Sequence, residues 1–208
     1  MRRLGRDALV GEALTVLAGN PAASMLDLSQ GIGVGRTTLY RHFGDREALV
    51  AEVARLGARM FIDAFMRARP DEGQGLAAVE RICAELFTVP DVLTLLFADN
   101  PIITDDHFAE VAQQGRTEAA ATASAVGSGG ASDLKGTDDG DPLERVIARG
   151  QSDGSIASDV PVEWAAAYVF LTVGAGHLFS VGSGKADSSG RARALELTIR
   201  AVEKTLSP

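Results

Sequence analysis

Helical periodicity runs through almost the whole chain, and this feature limits the possible folds more than any other. Apolar residues recur three or four positions apart, whereas the strict alternation of a half-buried strand is nearly absent. Pro90 and Pro142 stand where the first residue of a helix is expected. The sequence therefore predicts an all-α protein.

Composition excludes several classes of protein. The single cysteine, Cys83, excludes an intramolecular disulfide framework and a zinc site built from several cysteines. The longest nearly uncharged stretch, residues 165–181, contains polar side chains and falls short of the ~20 strongly apolar residues of a membrane span. No signal peptide is evident, so we expect a cytoplasmic protein that does not associate with a membrane.

Charge is distributed unevenly along the chain. Although the net charge is −8, residues 1–46 carry six arginines against four acidic residues. The other 162 residues carry 14 basic and 24 acidic groups. A basic head on an acidic body is typical of a chain whose head faces an anion such as nucleic acid.

Residues 24–43 have the spacing of a helix-turn-helix. Ser24 and Asp27 stand at the spacing of a capping box, in which each side chain accepts a hydrogen bond from the other residue's backbone amide. Gly33 falls at the turn, where a left-handed backbone is needed and glycine adopts it without steric cost. The apolar anchors that join the two helices to one core are Leu28, Val34, Leu39 and Phe43.

The second helix of this motif presents polar side chains on its outward face. The backbone amides and positive dipole at its N-terminus favour phosphate, and guanidinium and hydroxyl groups can reach base edges in the major groove. The alternative is a helical hairpin that serves packing alone. The residues on or beside this face are Arg36, Thr37, Tyr40, Arg41 and His42.

A family resemblance rests on these residues. Residues 33–49, GVGRTTLYRHFGDREAL, resemble the DNA-binding signature of TetR-family transcriptional regulators, and residues 148–161 resemble the turn before the family's penultimate helix. The resemblance implies an N-terminal three-helix DNA-binding domain over residues 1–48 and a helical ligand-binding and dimerisation domain over residues 49–208. It also implies a repressor that binds palindromic operator DNA as a homodimer and is released by a small-molecule effector.

The resemblance implies roles for individual residues of the helix-turn-helix. Thr38 and Tyr40 match positions that contact DNA phosphates. Thr37, Arg41 and His42 match positions that contact bases or the DNA backbone. These roles make the second helix of the motif the recognition helix.

Further positions extend the predicted DNA surface. Arg46 stands where the family commonly has a lysine that clamps phosphate, and Ser24 opens the first helix of the motif. Gly35 replaces the Ser or Thr that commonly caps the recognition helix, and glycine is a tolerated cap. Arg2 and Arg3 form either an arm into the minor groove or a disordered basic tail. The DNA-binding residues that we predict are Ser24, Gly35, Arg36, Thr37, Thr38, Tyr40, Arg41, His42 and Arg46.

One recognition helix reads too few base pairs to be selective, so we expect a dimer on half-sites ~34–36 Å apart or a multiple of that distance. Apolar residues with a 4-3-4 spacing on the last helix, and small residues on the helix before it, indicate a seam between two copies. The alternative is that the stretch 165–181 is buried wholly within a monomer. The interface residues that we predict are Ala166, Gly174, Leu195, Ile199, Val202 and Leu206.

Aromatic residues of the C-terminal body are the candidates for the effector pocket that the resemblance implies. The alternative is that most of them are ordinary core residues and that His177 is a hydrogen-bonded core or interface histidine. The sequence does not specify the chemistry of the effector. The pocket residues that we predict are Phe61, Phe65, Phe87, Phe97, Phe108, Trp164, Phe170 and His177.

No arrangement of residues predicts catalysis, and we expect no catalytic residue, cofactor or metal. Cys83 lies in an apolar helical stretch, which is typical of a buried thiol. His107 and Glu110 stand one turn apart, but a solvated helix start explains them as well as part of a metal site does.

Residues 127–141 are rich in Gly and acidic residues, and we expect a mobile insertion there. The alternative function is a helical protein-interaction module that does not bind DNA.

Overall fold

The computed structural model describes residues 4–125, 141–182 and 188–208, with side chains for all of these except 118–125. Within these ranges the chain forms ten α-helices and no strand, as the periodicity predicts. The predicted arm of Arg2 and Arg3 and, apart from Asp141, the predicted insertion at 127–141 lie outside the described residues. The helices are α1 (Arg6–Gly19), α2 (Met25–Ile32), α3 (Arg36–Phe43), α4 (Arg46–Arg67), α5 (Gly75–Leu86), α6 (Pro90–Leu96), α7 (Asp105–Ala125), α8 (Pro142–Asp153), α9 (Val162–Gly182) and α10 (Ser188–Leu206).

Helices α1 to α3 and the first turns of α4 form the N-terminal head. Leu17 of α1, Leu28 of α2 and Leu39 of α3 are fully shielded from solvent in its core. Helices α1 and α2 approach closely at Gly31, where a Cβ atom would lie 2.8 Å from Cγ2 of Val16. Because a real Cβ atom does not come that close to another carbon, the absence of a side chain at Gly31 sets the spacing of the two helices.

Helix α4 joins the head to the C-terminal body without interruption. Asp45 caps its N-terminus by accepting a hydrogen bond from the backbone amide of Ala48 at 2.8 Å. The domain boundary that we predict between residues 48 and 49 therefore falls inside the first turn of this helix.

Helices α5 to α10 pack with the rest of α4 to form the body. Gly75 at the start of α5 lies directly on α8, because a Cβ atom at Gly75 would come 2.3 Å from Cα of Gly150. Ile156 also packs against Gly150, because a Cβ atom added to Gly150 would lie 2.5 Å from Cδ1 of Ile156. Helices α9 and α10 pack along each other, and the hydroxyl of Tyr168 donates a hydrogen bond to the Ala201 carbonyl at 3.1 Å.

Helix α9 is long and apolar enough, by length and composition alone, to cross a membrane. The stretch 165–181, which by itself falls short of a membrane span, lies within this longer helix from Val162 to Gly182. One face of the helix, including Val169, Val173 and His177, is buried against the body, as in the core helix of a bundle. The opposite face bears large apolar side chains that are exposed in the single chain.

Candidate nucleic-acid interface

The turn between α2 and α3 has the geometry that the motif predicts. Gly33 ends α2 with φ +77°, in the left-handed region where glycine is favoured. Gly35 then caps α3 from an extended conformation and supplies no side-chain hydrogen bond. Because Gly35 has no side chain, it caps none of the first backbone amides of α3, and free amides at a helix start favour an anion.

The two sides of α3 differ sharply in chemistry. Leu39 and Phe43 are buried in the head, whereas Thr37, Tyr40 and Arg41 are exposed on the other side. The exposed set also includes Arg36, whose Cζ lies 5.4 Å from the ring centroid of Tyr40. This cation–π contact, with residues four positions apart on the helix, orients the Tyr40 ring. The predicted outward residues Gly35, Thr38 and His42 are half-buried beside this surface.

Ser24 forms the predicted capping box at the start of α2. Its Oγ accepts a hydrogen bond from the Asp27 amide at 3.3 Å, and the Asp27 carboxylate accepts one from the Ser24 amide at 2.9 Å. The Ser24 hydroxyl also donates to the same carboxylate at 2.7 Å, and this hydrogen bond lowers the pKa of Asp27 below its usual range. The Ser24 hydroxyl hydrogen is therefore already bonded within the protein.

Arg46 has a structural role that the sequence did not reveal. Its Nε donates to the Ala23 carbonyl and its Nη2 donates to the Pro21 carbonyl, both at 2.8 Å. The guanidinium thus ties the connection between α1 and α2 to the start of α4, and its contact with phosphate stays a prediction. These two bonds fix the position of the α2 N-terminus.

Arg6 contacts the end of α3, which no sequence pattern predicted. Its guanidinium donates hydrogen bonds to the His42 carbonyl and, at 3.2 Å, to Oε1 of Glu52. Its Cζ also lies 4.8 Å from the ring centroid of Phe43. A single arginine near a chain start carries no periodic or spacing signal, so no pattern in the sequence could have located these contacts.

The predicted dimer residues lie mostly inside the protomer. Val202 and Leu206 are fully buried, and Ala166 is buried as well. Gly174 is small for an internal reason, because a Cβ atom there would come 2.6 Å from the ring of Phe97. These four residues therefore cannot line a surface between two copies, and the half-buried Leu195 and Ile199 pack against the same core.

A different face of α9 is apolar and open. Trp164, Leu171 and Leu178 follow one another at intervals of seven residues, which places them along one side of the helix. Each exposes about half or more of its surface, with Leu171 the most exposed at 64%. We call this surface the α9 stripe, and its members are Trp164, Leu171, Leu178, Phe179 and Val181.

Four of the eight predicted pocket residues form an aromatic cluster. Phe61 contacts Phe108 with ring centroids 5.3 Å apart, and Phe97 contacts Phe170 at 4.9 Å. Phe61 and Phe170 join the two pairs at 6.5 Å. Trp164 does not belong to this set, since it lies on the surface stacked on Tyr168. The aromatic cluster is defined here as Phe61, Phe97, Phe108 and Phe170.

The other predicted pocket residues are core residues. Phe65 is buried, and Phe87 lies 3.1 Å from where a Cβ atom of Gly176 would be. A cleft of about 230 Å³ lies elsewhere, between α1, α4 and α6, and its lining includes Thr15, Met60 and Asp91. None of the eight predicted residues lines that cleft.

His177 is a hydrogen-bonded core histidine, the alternative that the sequence analysis left open. Thr94 donates its hydroxyl hydrogen to the Pro90 carbonyl at 3.1 Å, so its oxygen accepts from Nε2 of His177 at 2.9 Å. Burial lowers the pKa of His177, and the charge of Asp91 opposes this shift only in part. The imidazole of His177 is therefore neutral, and its hydrogen bond to Thr94 links α9 to α6.

The residues considered for metal binding or catalysis do not assemble a site. Nδ1 of His107 accepts a hydrogen bond from the Thr104 amide at 3.2 Å, and Glu110 forms an ion pair with Arg55 at 3.7 Å. In the part of the chain that the structure describes, no three His, Cys, Asp or Glu side chains form a group that could hold a metal. Burial raises the pKa of the Cys83 thiol to about 12, so it is not a nucleophile at neutral pH.

Sequence comparisons point to one family. Residues 10–53 match the family model described as bacterial regulatory proteins, tetR family. The chain is 29% identical over 108 residues to the HTH-type transcriptional repressor LfrR of Mycolicibacterium smegmatis. That alignment covers 52% of this chain and 57% of LfrR, so it spans about half the length of each protein.

Solved structures share the fold over nearly the whole chain. The ketosteroid transcriptional regulator KstR2 of Mycobacterium tuberculosis aligns with a TM-score of 0.65 at 13% identity, covering 100% of this chain and 97% of KstR2. LfrR of Mycobacterium smegmatis in complex with proflavine aligns with a TM-score of 0.62 at 20% identity, covering 95% and 94% of the two chains. The combination of a helix-turn-helix head and a helical body is therefore common to all three proteins.

Proposed function

We propose that this chain, whose residues 10–53 match the tetR family model, is a cytoplasmic, ligand-responsive transcriptional repressor of the TetR family. It binds palindromic operator DNA as a homodimer and has no catalytic role. The observation that carries this proposal is the outward face of α3, where Thr37, Tyr40 and Arg41 are exposed on a helix anchored from behind by Leu39 and Phe43.

In the proposed complex α3 lies in the major groove. Thr38 and the hydroxyl of Tyr40 donate to phosphates, while Thr37, Arg41 and His42 reach bases or the backbone. Arg36 contributes by holding the ring of Tyr40. Ser24 and Gly35 sit at helix N-termini, where backbone amides favour phosphate, and Arg46 keeps the first of these N-termini in place.

We propose that a second copy of this chain covers the α9 stripe. Trp164, Leu171 and Leu178 are spaced seven residues apart, which suits two helices packed side by side. Ala167 and Ala175, which lie between them in the sequence and are exposed, permit close approach of the two helices. Several large apolar side chains on one helix face form a patch that a monomeric protein rarely leaves in water. The two heads of such a dimer present two recognition helices to two half-sites.

The aromatic cluster is the proposed binding region for the effector. Its four rings come from α4, α7, α9 and the end of α6, so a ligand inserted among them would separate helices that connect to the head. The solved complex of LfrR contains proflavine, a planar aromatic compound. On that basis the effector class proposed for this chain is a small aromatic molecule, whose preference for one arrangement of the helices would shift the population away from the DNA-binding state.

Replacing Tyr40 with phenylalanine tests the placement of the recognition helix. The change removes only the hydroxyl and keeps the ring under Arg36, so operator affinity is expected to fall roughly ten-fold through loss of one charge-assisted hydrogen bond. The measurement is a titration of the protein onto the DNA upstream of its own coding sequence at several salt concentrations. Binding by the wild-type protein should weaken steeply with salt, because counterions return to the phosphates.

The matched control is Tyr168→Phe, which removes the other tyrosine hydroxyl of the chain and its two hydrogen bonds inside the body, with Ala201 and Thr205. It should leave operator affinity close to the wild-type value. Equal affinity of Tyr40→Phe and wild type would show that the recognition surface is misplaced. Failure of the wild-type protein to bind any upstream fragment at low salt would favour a helical protein-interaction module instead.

A further inference from the structure

Four charged side chains form a continuous chain of contacts from the end of the recognition helix to the body. Arg6 donates to the His42 carbonyl and pairs with Oε1 of Glu52 at 3.2 Å. Nη2 of Arg55 approaches the same Glu52 oxygen at 3.0 Å, and Nη1 of Arg55 lies 3.7 Å from Oε2 of Glu110 on α7. This series of contacts therefore extends from α3 through Arg6 on α1 and through α4 to α7.

Arg6 holds the C-terminal end of α3. The guanidinium meets the His42 carbonyl at the end of the helix, where the dipole favours a positive charge, and it lies over the ring of Phe43. At the other end of this eight-residue helix, Gly35 contributes no side-chain bond. Arg6 therefore adds a contact at the end of α3 to the anchoring that Leu39 and Phe43 provide from the core.

Glu52 in turn holds Arg6. Its Oε1 accepts hydrogen bonds from both Arg6 and Arg55. Burial by itself would raise the pKa of Glu52, but the hydrogen bonds from Arg55 and then Arg6 outweigh burial and hold that pKa below its usual range. Glu52 is therefore ionised at neutral pH and bonded to both arginines.

We infer that Glu52 is a positioning residue for DNA binding, which keeps Arg6 against the end of the recognition helix and is itself linked to α7 through Arg55 and Glu110. This inference rests on the proposed function. Glu52 is half-buried on α4, where it bonds to Arg6 and Arg55, and it is not among the predicted DNA contacts. It acts on DNA only through Arg6 and the orientation of α3.

The sign of the effect separates positioning from simple electrostatics. A negative charge in the head repels DNA, so removing it should strengthen binding if charge were all that mattered. Removing a carboxylate that orients the recognition helix should weaken binding. Glu52→Gln places these two effects in opposition within one nearly isosteric change.

The experiment compares Glu52→Gln with Glu47→Gln on the DNA site that the wild-type protein selects. Glu47 lies on the same helix, is exposed, and makes no ion pair among the described residues. Glu52→Gln is expected to bind roughly two- to five-fold more weakly, which is the range for the loss of a partly exposed ion pair. Glu47→Gln should bind as tightly as wild type or slightly more tightly, and thermal unfolding should show both variants folded.

An Arg6→Ala background supplies the decisive comparison. Without Arg6, Glu52 has nothing to position, so Glu52→Gln should no longer weaken binding there. Glu110→Gln in the otherwise wild-type protein should weaken binding less than Glu52→Gln and in the same direction. If Glu110→Gln binds like wild type, the link to α7 is wrong.

If Glu52→Gln strengthens binding, or weakens it equally with and without Arg6, the positioning role is wrong. These outcomes are distinct from failure of the proposed function. If wild-type binding is specific and Tyr40→Phe weakens it, the recognition surface stands whatever Glu52 does. If the wild-type protein binds no DNA specifically, the proposed function itself fails.

Discussion

Leu171→Glu is expected to convert the proposed dimer to a monomer and to weaken operator binding by about a hundred-fold or more. A dimer holds its second head near the second half-site, and this raises affinity by roughly 10²–10⁴ over a single head. A monomer loses that gain entirely. The variant should nevertheless fold normally, because Leu171 is 64% exposed in the single chain and exposed substitutions usually change stability little.

The physical reason lies in the centre of the α9 stripe. Leu171 stands between Trp164 and Leu178, seven residues from each, so it falls in the middle of the proposed seam. Glutamate there would bring one carboxylate from each copy into an apolar interface without a partner of opposite charge. The free-energy cost of desolvating such a carboxylate exceeds the free energy that packing at this one position contributes to the dimer.

The measurement is sedimentation velocity, combined with the emission of Trp164, the one tryptophan of the chain. Wild-type protein should sediment as a dimer, and its Trp164 emission should shift to the red as dilution exposes the ring. The matched control is Met66→Glu, which makes the same change at an exposed residue of α4 away from the stripe. A dimeric Leu171→Glu variant, or a Met66→Glu variant that is equally monomeric, would contradict the assignment of the seam.

Gly75→Ala is expected to destabilise the folded chain by about 1–3 kcal/mol, the usual cost of forcing an extra carbon into a packed core. The new Cβ atom would lie 2.3 Å from Cα of Gly150 and 2.9 Å from the Val146 carbonyl oxygen. Both contacts are with backbone of α8, which cannot move aside as a flexible side chain does. Helices α5 and α8 must therefore separate.

Urea unfolding followed by circular dichroism measures this effect, with Gly115→Ala as the control. Gly115 lies on the exposed part of α7, where nothing stands within 4 Å of an added Cβ atom. Alanine there should be neutral or stabilising by up to about 1 kcal/mol, since alanine is the better helix former. Equal stability of Gly75→Ala and wild type would show that α5 and α8 are not in backbone contact.

The sequence predicted the head well because its determinants are local. The capping box joins Ser24 to Asp27, and the turn depends on the backbone of Gly33 alone. The caps at Asp45 and Asp141 likewise act on amides within three residues. Each of these features is complete within one turn of chain, so its spacing can be read directly.

The partners of the arginines could not be predicted because they lie far away along the chain. The bonds of Arg46 reach back 23 and 25 residues, and Arg6 reaches forward 36 residues to the His42 carbonyl and 46 to Glu52. An arginine at either position looks the same in sequence whether it meets a phosphate or a carbonyl. Only the assembled head distinguishes the two roles.

Which face of α9 is exposed could not be predicted from the sequence either. Apolar side chains lie on nearly all sides of this helix, so the periodicity of the sequence does not distinguish its buried side from its exposed side. Small residues on this helix predict an interface between copies, but Gly174 is small because Phe97 of the same chain lies on it. The last two helices remain the proposed seam, with the exposed side chains of α9 in place of the buried ones.

Selection of binding sites from a pool of random duplex DNA tests the central claim most directly. Wild-type protein should enrich a sequence with two-fold symmetry, whose half-site centres are ~34–36 Å apart or a multiple of that distance. The symmetry would report the paired bodies, and the enriched bases would report the outward face of α3. Enrichment of no sequence, or of an asymmetric site bound by one copy, would contradict a dimer that reads DNA with two recognition helices.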